Sequence, residues 1–222
     1  MDANTNTVLR LFNSRRHLLT LLATQGYYVD NDVDFSIQDV SIMFNNNQLD
    51  MLLSNQSESS SKETSEAVAS PKKVYVRYYT GKALRTNVLD EIIEQSFVDD
   101  ADVLNKKTDT LIVVVDDEPN DSLRQRLTYL YDNQGIFVVV HNIKRLQYNL
   151  LKHVMVPEMT ILSPEETQTL MEVRNIKDLS QLPEMSRFDP LALATCMRPQ
   201  QVCRLRRIST SAYEYDYYRV CV

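Results

Sequence analysis

Glycine is nearly missing. The 222-residue chain has three, Gly26, Gly81 and Gly135. Phosphate cradles of the GxGxxG and GxxxxGKS/T types need several glycines for close backbone approach, so a Rossmann dinucleotide site and a P-loop are excluded. Cysteine is equally sparse. Cys196, Cys203 and Cys221 are odd in number and contain no CxxC pair, whereas a disulfide framework or a zinc site requires closer, paired spacing. They read as small buried hydrophobes or surface thiols. The longest apolar runs, such as Leu111–Val115 and Ile136–Val140, fall far short of the roughly 18–20 residues that span a bilayer, and no membrane partner is expected. The start, Met1-Asp2-Ala3-Asn4-Thr5-Asn6, lacks the basic residues and apolar core of a signal peptide, which leads to the expectation of a reducing compartment.

Catalytic signatures are also absent. His17, His141 and His153 form no HExxH and lie near no cysteine at ligand spacing; they read as surface or packing histidines. There is no GxSxG elbow. No lysine follows an acid by two positions, so the acid-x-Lys pattern of strand-borne metal nucleases is missing. Net charge is −6 and unevenly placed: residues 1–150 carry 15 basic and 21 acidic side chains, residues 151–222 carry 9 and 9. An acidic protein does not hold nucleic acid strongly by itself, because phosphate neutralisation dominates affinity.

What is present divides the chain in two. Residues 7–24 place Val8, Leu11, Leu18, Leu19 and Leu22 at helical spacing, closed by Gln25-Gly26. Asp34 or Ser36 caps a second helix through Phe44. Residues 54–73, SNQSESSSKETSEAVASPKK, cannot bury enough apolar area to offset their ordering entropy and read as a disordered insertion. Val74–Tyr79 is rich in strand formers, and residues 85–97 have a helical pattern. Leu111–Val115, a helix over 120–131, the turn Asn133-Gln134-Gly135 and Ile136–Val140 spell a βαβ unit with parallel strands. Residues 142–152 read as a helix or extended connection. Further on, Ser163-Pro164-Glu165-Glu166 is a capping-box helix start running to about Val173. Gln181-Leu182-Pro183 is a break, Asp189-Pro190 starts a short helix through Ala194, and Val202–Arg207 with Tyr215–Val220 reads as a β-hairpin. The expected organisation is an α/β domain over 1–148 and a small α+β domain over 149–222.

Two clusters bear on chemistry. Asp116-Asp117-Glu118 follows a buried strand; with Asp109 it suggests a divalent-metal phosphodiesterase or nuclease, and otherwise a solvated loop. Arg198, Arg204, Arg206 and Arg207 fall within ten residues. They suit an acidic protein partner or nucleic acid, or form a merely exposed basic face. Tyr213, Tyr215, Tyr217 and Tyr218 suit an interface strand or the rim of a core.

The last seventy residues resemble a known family. His153-Val-Met-Val-Pro157, Leu162-Ser163-x-Glu165-Glu166, Gln181-Leu182-Pro183, Asp189-Pro190-Leu-Ala192, Gln201-Val202, Arg207, Ser209 and Tyr218-Arg219 occur in the order and spacing of the fifth subunit shared by the eukaryotic nuclear RNA polymerases. The C-terminal domain of that family corresponds to a small subunit of the archaeal RNA polymerase. The resemblance implies a nuclease-like but non-catalytic α/β jaw followed by an assembly domain that docks on the largest subunit. No catalytic residue, metal or cofactor is implied. The docking positions it implies are His153, Pro157, Leu182, Pro183, Asp189, Pro190, Val202, Arg207, Tyr218 and Arg219. The jaw is expected near downstream duplex DNA, bound weakly and only in the complex, with His141, Lys144 and Arg145 as DNA-proximal residues. Three departures stand out. Gln200 and Tyr213 occupy positions where the family has glycine, and Met159 stands where it has a second histidine. With the extra serine-rich stretch, these suggest a fast-evolving version such as one encoded by a large DNA virus. The implied location is the nucleus for a cellular chain, and the virion or host cytoplasm for a viral one.

Overall fold

A computed structural model describes residues 3–29, 32, 34–55, 72–81, 83–97 and 104–222. Its internal contacts separate two units, Met1–Tyr148 and Asn149–Val222.

The first unit is organised by its two most apolar runs. β3 (Thr110–Val115) and β4 (Phe137–Asn142) are buried at every position, as parallel strands covered on both faces must be. They pair in parallel from Thr110↔Phe137 to Val115↔Asn142. β2 (Lys73–Tyr79) lies parallel on the other side of β3, and β1 (Met51–Ser54) closes the edge antiparallel to β2, giving the order β1-β2-β3-β4. β1 was not expected: four residues with one buried face carry too short an alternation to read. It pairs Ser54 with Lys73, so the two ends of the serine-rich stretch lie side by side at one end of the β1–β2 pair. Residues 56–71, and with them the expected disorder, lie outside the described residues.

Helices follow the apolar spacing. α1 (Ala3–Thr24) buries Val8, Leu11, Leu18, Leu19, Leu21 and Leu22, each burial contributing about 1.5–3 kcal/mol. α2 (Ile37–Asn45) begins at Ser36, which with Asp39 forms a reciprocal capping box; of the two candidate caps, Ser36 is the one used. α3 (Thr86–Ser96) packs Leu89, Ile92 and Ile93. α4 (Asp121–Gln134) joins β3 to β4 and runs three residues beyond Tyr131, because Gly135 at φ 70° caps it in the left-handed region. Residues 142–152 contain two single 3₁₀ turns, Arg145–Gln147 and Leu150–Lys152, rather than a helix. Among the described residues no helix is long and apolar enough to cross a membrane.

In the second unit the expected hairpin is β7 (Val202–Ile208) and β8 (Glu214–Cys221), antiparallel from Val202↔Val220 to Ile208↔Glu214. Two strands too short to read flank it: β5 (Glu158–Ile161) on β7 and β6 (Glu184–Met185) on β8. α5 (Pro164–Val173) starts on the capping box, with Ser163 Oγ accepting the Glu166 N–H at 3.1 Å and Glu166 accepting the Ser163 N–H at 2.8 Å. α6 (Pro190–Ala194) starts on Asp189. Met185, Ala192, Met197, Cys203, Leu205 and Cys221 form the core, with Met159 and Tyr217 packed against it.

Burial pushes the Cys203 thiol up and the Cys221 thiol to about 11. Both are buried, whereas Cys196 is half-buried. The thiolate is the reacting form. Ellman's reagent at pH 8 is therefore expected to titrate one thiol, Cys196, in the native protein and all three after denaturation.

Candidate functional site

The implied docking residues of the second unit serve two purposes. Several fix the backbone. Asp189 accepts the Leu191 N–H at 2.9 Å, with Pro190 filling the first helical position. Pro183 accepts the Val220 N–H through its carbonyl at 3.0 Å, tying the segment after Leu182 to β8. Val202 is 0% exposed; as a contact residue it is corrected, since its side chain lies inside the unit and shapes the sheet. Others line the hairpin. Arg219 stands opposite Cys203, and Tyr218 opposite Arg204. The Arg207 guanidinium lies 4.4 Å from the centre of the Tyr217 ring, a stacking that positions it over an aromatic face. The arginine run is less basic than it reads, because Arg206 stands 3.9 Å from Glu158 and 3.8 Å from Asp216.

His153 and Pro157 bracket the most exposed apolar feature of this unit. The His153 carbonyl accepts the Val156 N–H at 2.9 Å, and its Nδ1 accepts the Met155 N–H at 3.2 Å. The tight turn so formed lifts Val154, 96% exposed, and Met155, 82% exposed, away from their own fold. At the far end of the hairpin Ile208 and Tyr213 are also exposed, beyond the reach of β5, whose last partner is Arg206. Sequence reasoning offers Tyr213 as an interface candidate but passes over Val154, Met155 and Ile208. Inside motifs they read as ordinary apolar positions, and exposure is decided by which strands end where.

The unexpected residues at glycine positions are resolved differently. Gln200 has φ 69°, so the left-handed turn persists without glycine, at about 1–2 kcal/mol of steric cost. Gln200→Gly is expected to raise stability by about 0.5–1 kcal/mol after its own unfolded-state entropy, seen as a melting midpoint a few degrees higher. Tyr213 has no positive φ and bears no such strain. Met159 packs on the core, a role histidine would fill poorly.

In the first unit the carboxylates weighed as a metal site are not brought together. Asp109 is 3% exposed at the start of β3 and accepts the Lys73 N–H at 2.9 Å, the Asn105 N–H at 2.8 Å and the Thr108 hydroxyl at 3.0 Å. Asp116, Asp117 and Glu118 follow the opposite end of that strand. Glu118 holds Arg145 in a two-point pair at 2.9 and 3.1 Å. Among the described residues no cluster of three metal-ligating side chains forms. The nuclease reading is thereby corrected: Asp109 lies a strand's length from the other three, and Asp109, Asp116 and Glu118 are engaged in structural bonds. His141 is corrected as well, being 4% exposed inside β4 opposite Val114, out of reach of a phosphate. Lys144 is exposed at the mouth of a cavity of about 560 Å³ that opens at the carboxyl ends of β2, β3 and β4.

Residues 148–221 match the family description "RNA polymerase Rpb5, C-terminal domain". The chain is similar to "DNA-directed RNA polymerase subunit Rpo5" of Thermococcus kodakarensis, 40% identical over 76 residues that are 34% of this chain and 92% of that protein. It is 43% identical over 70 residues to the protein of the same name in Methanococcus maripaludis strain C6, covering 32% and 88% of the two chains. Similarity to "DNA-directed RNA polymerases I, II, and III subunit RPABC1" of Caenorhabditis briggsae is 36% over 77 residues, 35% of this chain and 36% of that one.

Proposed function

The chain belongs to the Rpb5 family of DNA-directed RNA polymerase subunits, and we propose that its C-terminal unit is the part that seats it in the polymerase. It is a non-catalytic subunit of a multisubunit RNA polymerase. The carrying observation is that this unit has its own core and sheet and lies almost wholly within the family match. The archaeal relative, 92% covered by 76 aligned residues, consists of little else. Docking is on the largest subunit, through the Val154–Met155 turn and the open end of the β7–β8 hairpin. Exposed apolar side chains on a rigid turn lose little entropy on burial, which suits an anchor.

The N-terminal unit acts as a jaw beside downstream duplex DNA, with Lys144 as its DNA-proximal cation. Arg145 is committed to Glu118, and acidic residues outnumber basic ones over residues 1–150. Contact is therefore weak, salt-dependent and confined to the assembled enzyme. The isolated chain breaks and makes no bonds. For a eukaryotic cellular chain the place of work is the nucleus; the relatives named are archaeal and nematode, and none of them bears on a viral origin.

Affinity purification of the tagged chain followed by mass spectrometry tests the assignment. Recovery of the two largest polymerase subunits is expected, and their absence overturns it. Tight binding of duplex DNA by the free chain at physiological salt would refute the division of labour between the units.

A further inference from the structure

The cavity at the carboxyl ends of β2, β3 and β4 lies within the first unit. Its volume of about 560 Å³ lies within the range of about 300–1,000 Å³ usual for small-ligand pockets. It also lies where open α/β sheets receive ligands, outside the carboxyl edge of the strands. Three of its charged groups are incompletely satisfied. Arg10 Nη2 is buried and makes no hydrogen bond; Asp116 Oδ1, its carboxylate neighbour, is 3.9 Å away, too far for one. The other Asp116 oxygen accepts the Gly81 N–H at 2.7 Å. Lys144 has no ion pair, and Asp117 neither a hydrogen bond nor an ion pair, among the described residues.

The charges select the ligand. A plain anion would meet Asp116 and Asp117, and a plain cation would meet Arg10 and Lys144. A molecule with an anionic end and a neutral, hydroxyl-bearing middle answers both pairs. Guanidinium and ammonium groups take phosphate oxygens, a free carboxylate accepts hydrogen bonds from ribose hydroxyls, and Phe44 supplies an apolar wall for a flat ring. We propose that this cavity binds a mononucleotide, with its phosphate on Arg10 and Lys144, its ribose hydroxyls on Asp117 and its base against Phe44. Every residue the proposal uses lies in the first unit, and Lys144 is the one it shares with the proposed DNA contact, which is why the duplex is included in the test.

The test is titration of the full chain with AMP, adenosine, inorganic phosphate and a short DNA duplex, followed by amide NMR and calorimetry. AMP is expected to bind, shifting the amides of Gly81, Asp117 and Lys144. Lys144→Gln, at an exposed position that leaves the fold intact, weakens AMP about tenfold, the size of one charge-assisted contact. Asp117→Asn weakens AMP and leaves inorganic phosphate unchanged. Absence of shifts around the cavity at millimolar AMP overturns the proposal. So does equal binding of phosphate or of adenosine, which would leave half the ligand unread, and so does displacement of AMP by the duplex at that site.

Discussion

Val154 and Met155 replaced together by aspartate are expected to release the chain from its polymerase while leaving it folded. Both side chains are almost wholly exposed, at 96% and 82%, so neither supports the unit's own core. The turn that carries them is held by the His153 carbonyl and Nδ1 and does not depend on what they are. Burying a side chain of this size against a partner is worth about 1.5–3 kcal/mol. Truncating anchors of this kind costs about 2–4 kcal/mol each, and a carboxylate in the same pocket adds an unpaired buried charge. The pair of changes should weaken association about a thousandfold or more. Co-elution with the polymerase on size exclusion is the readout, with an unchanged circular dichroism melt as the fold check. Val173→Asp is the control: Val173 is 77% exposed on a different element, α5, and should leave co-elution intact. If the double variant co-elutes like the unaltered chain, the turn is not the anchor.

Asp109→Ala is the second large effect, and it falls on stability. The carboxylate gathers the Lys73 N–H, which opens β2, the Asn105 N–H of the preceding loop and the Thr108 hydroxyl. Alanine leaves two backbone donors without an acceptor at a position 3% exposed. Each orphaned buried donor costs about 1–3 kcal/mol, so a loss of about 3–4 kcal/mol is expected in a urea melt of the full chain. Asn should recover part of it, since one acceptor oxygen remains while its amide group meets donors. Incubation with Mg²⁺ and plasmid DNA should show no cleavage for either the unaltered chain or the variant. A variant with unchanged stability would mean the three bonds are not what hold the start of β3 to β2.

Much of the fold is legible in residue order, for identifiable reasons. Leu111–Val115 and Ile136–Val140 are dense in branched apolar residues and can only be central strands. Their pairing in parallel follows from the helix between them. Ser163-Pro164-x-Glu166 and Asp189-Pro190 are local devices whose hydrogen bonds reach two or three residues, and both form as spelled. β1, β5 and β6 were not legible, because two to four residues carry no usable period and exist only through the neighbour that pairs with them. Gln200 shows the same limit from the other side. A residue ill-suited to a positive φ takes one because its N–H is held by the Cys221 carbonyl at 2.8 Å.

The site divides along the same line. The residues that mark the family, Pro157, Pro183, Asp189 and Pro190, are readable because rigid φ angles and caps act within a few residues. Which of them face outward is not. Val202 and His141 look available in the chain and are sealed by the sheets they join, whereas Val154 and Met155 look like core and stand clear of it. The amino-acid order by itself determined the class of fold, the absence of glycine-built phosphate cradles and of a nucleophile elbow, and the likeness of the tail to a polymerase subunit, since each rests on local chemistry or short spacing. Only the tertiary structure decided that Asp109 and Asp116 stand at opposite ends of one strand, that Glu118 occupies Arg145, and that Arg10, Asp117 and Lys144 meet around one cavity. Those facts depend on contacts between residues far apart in the chain, and chain-distant neighbours are set by the packing of whole elements.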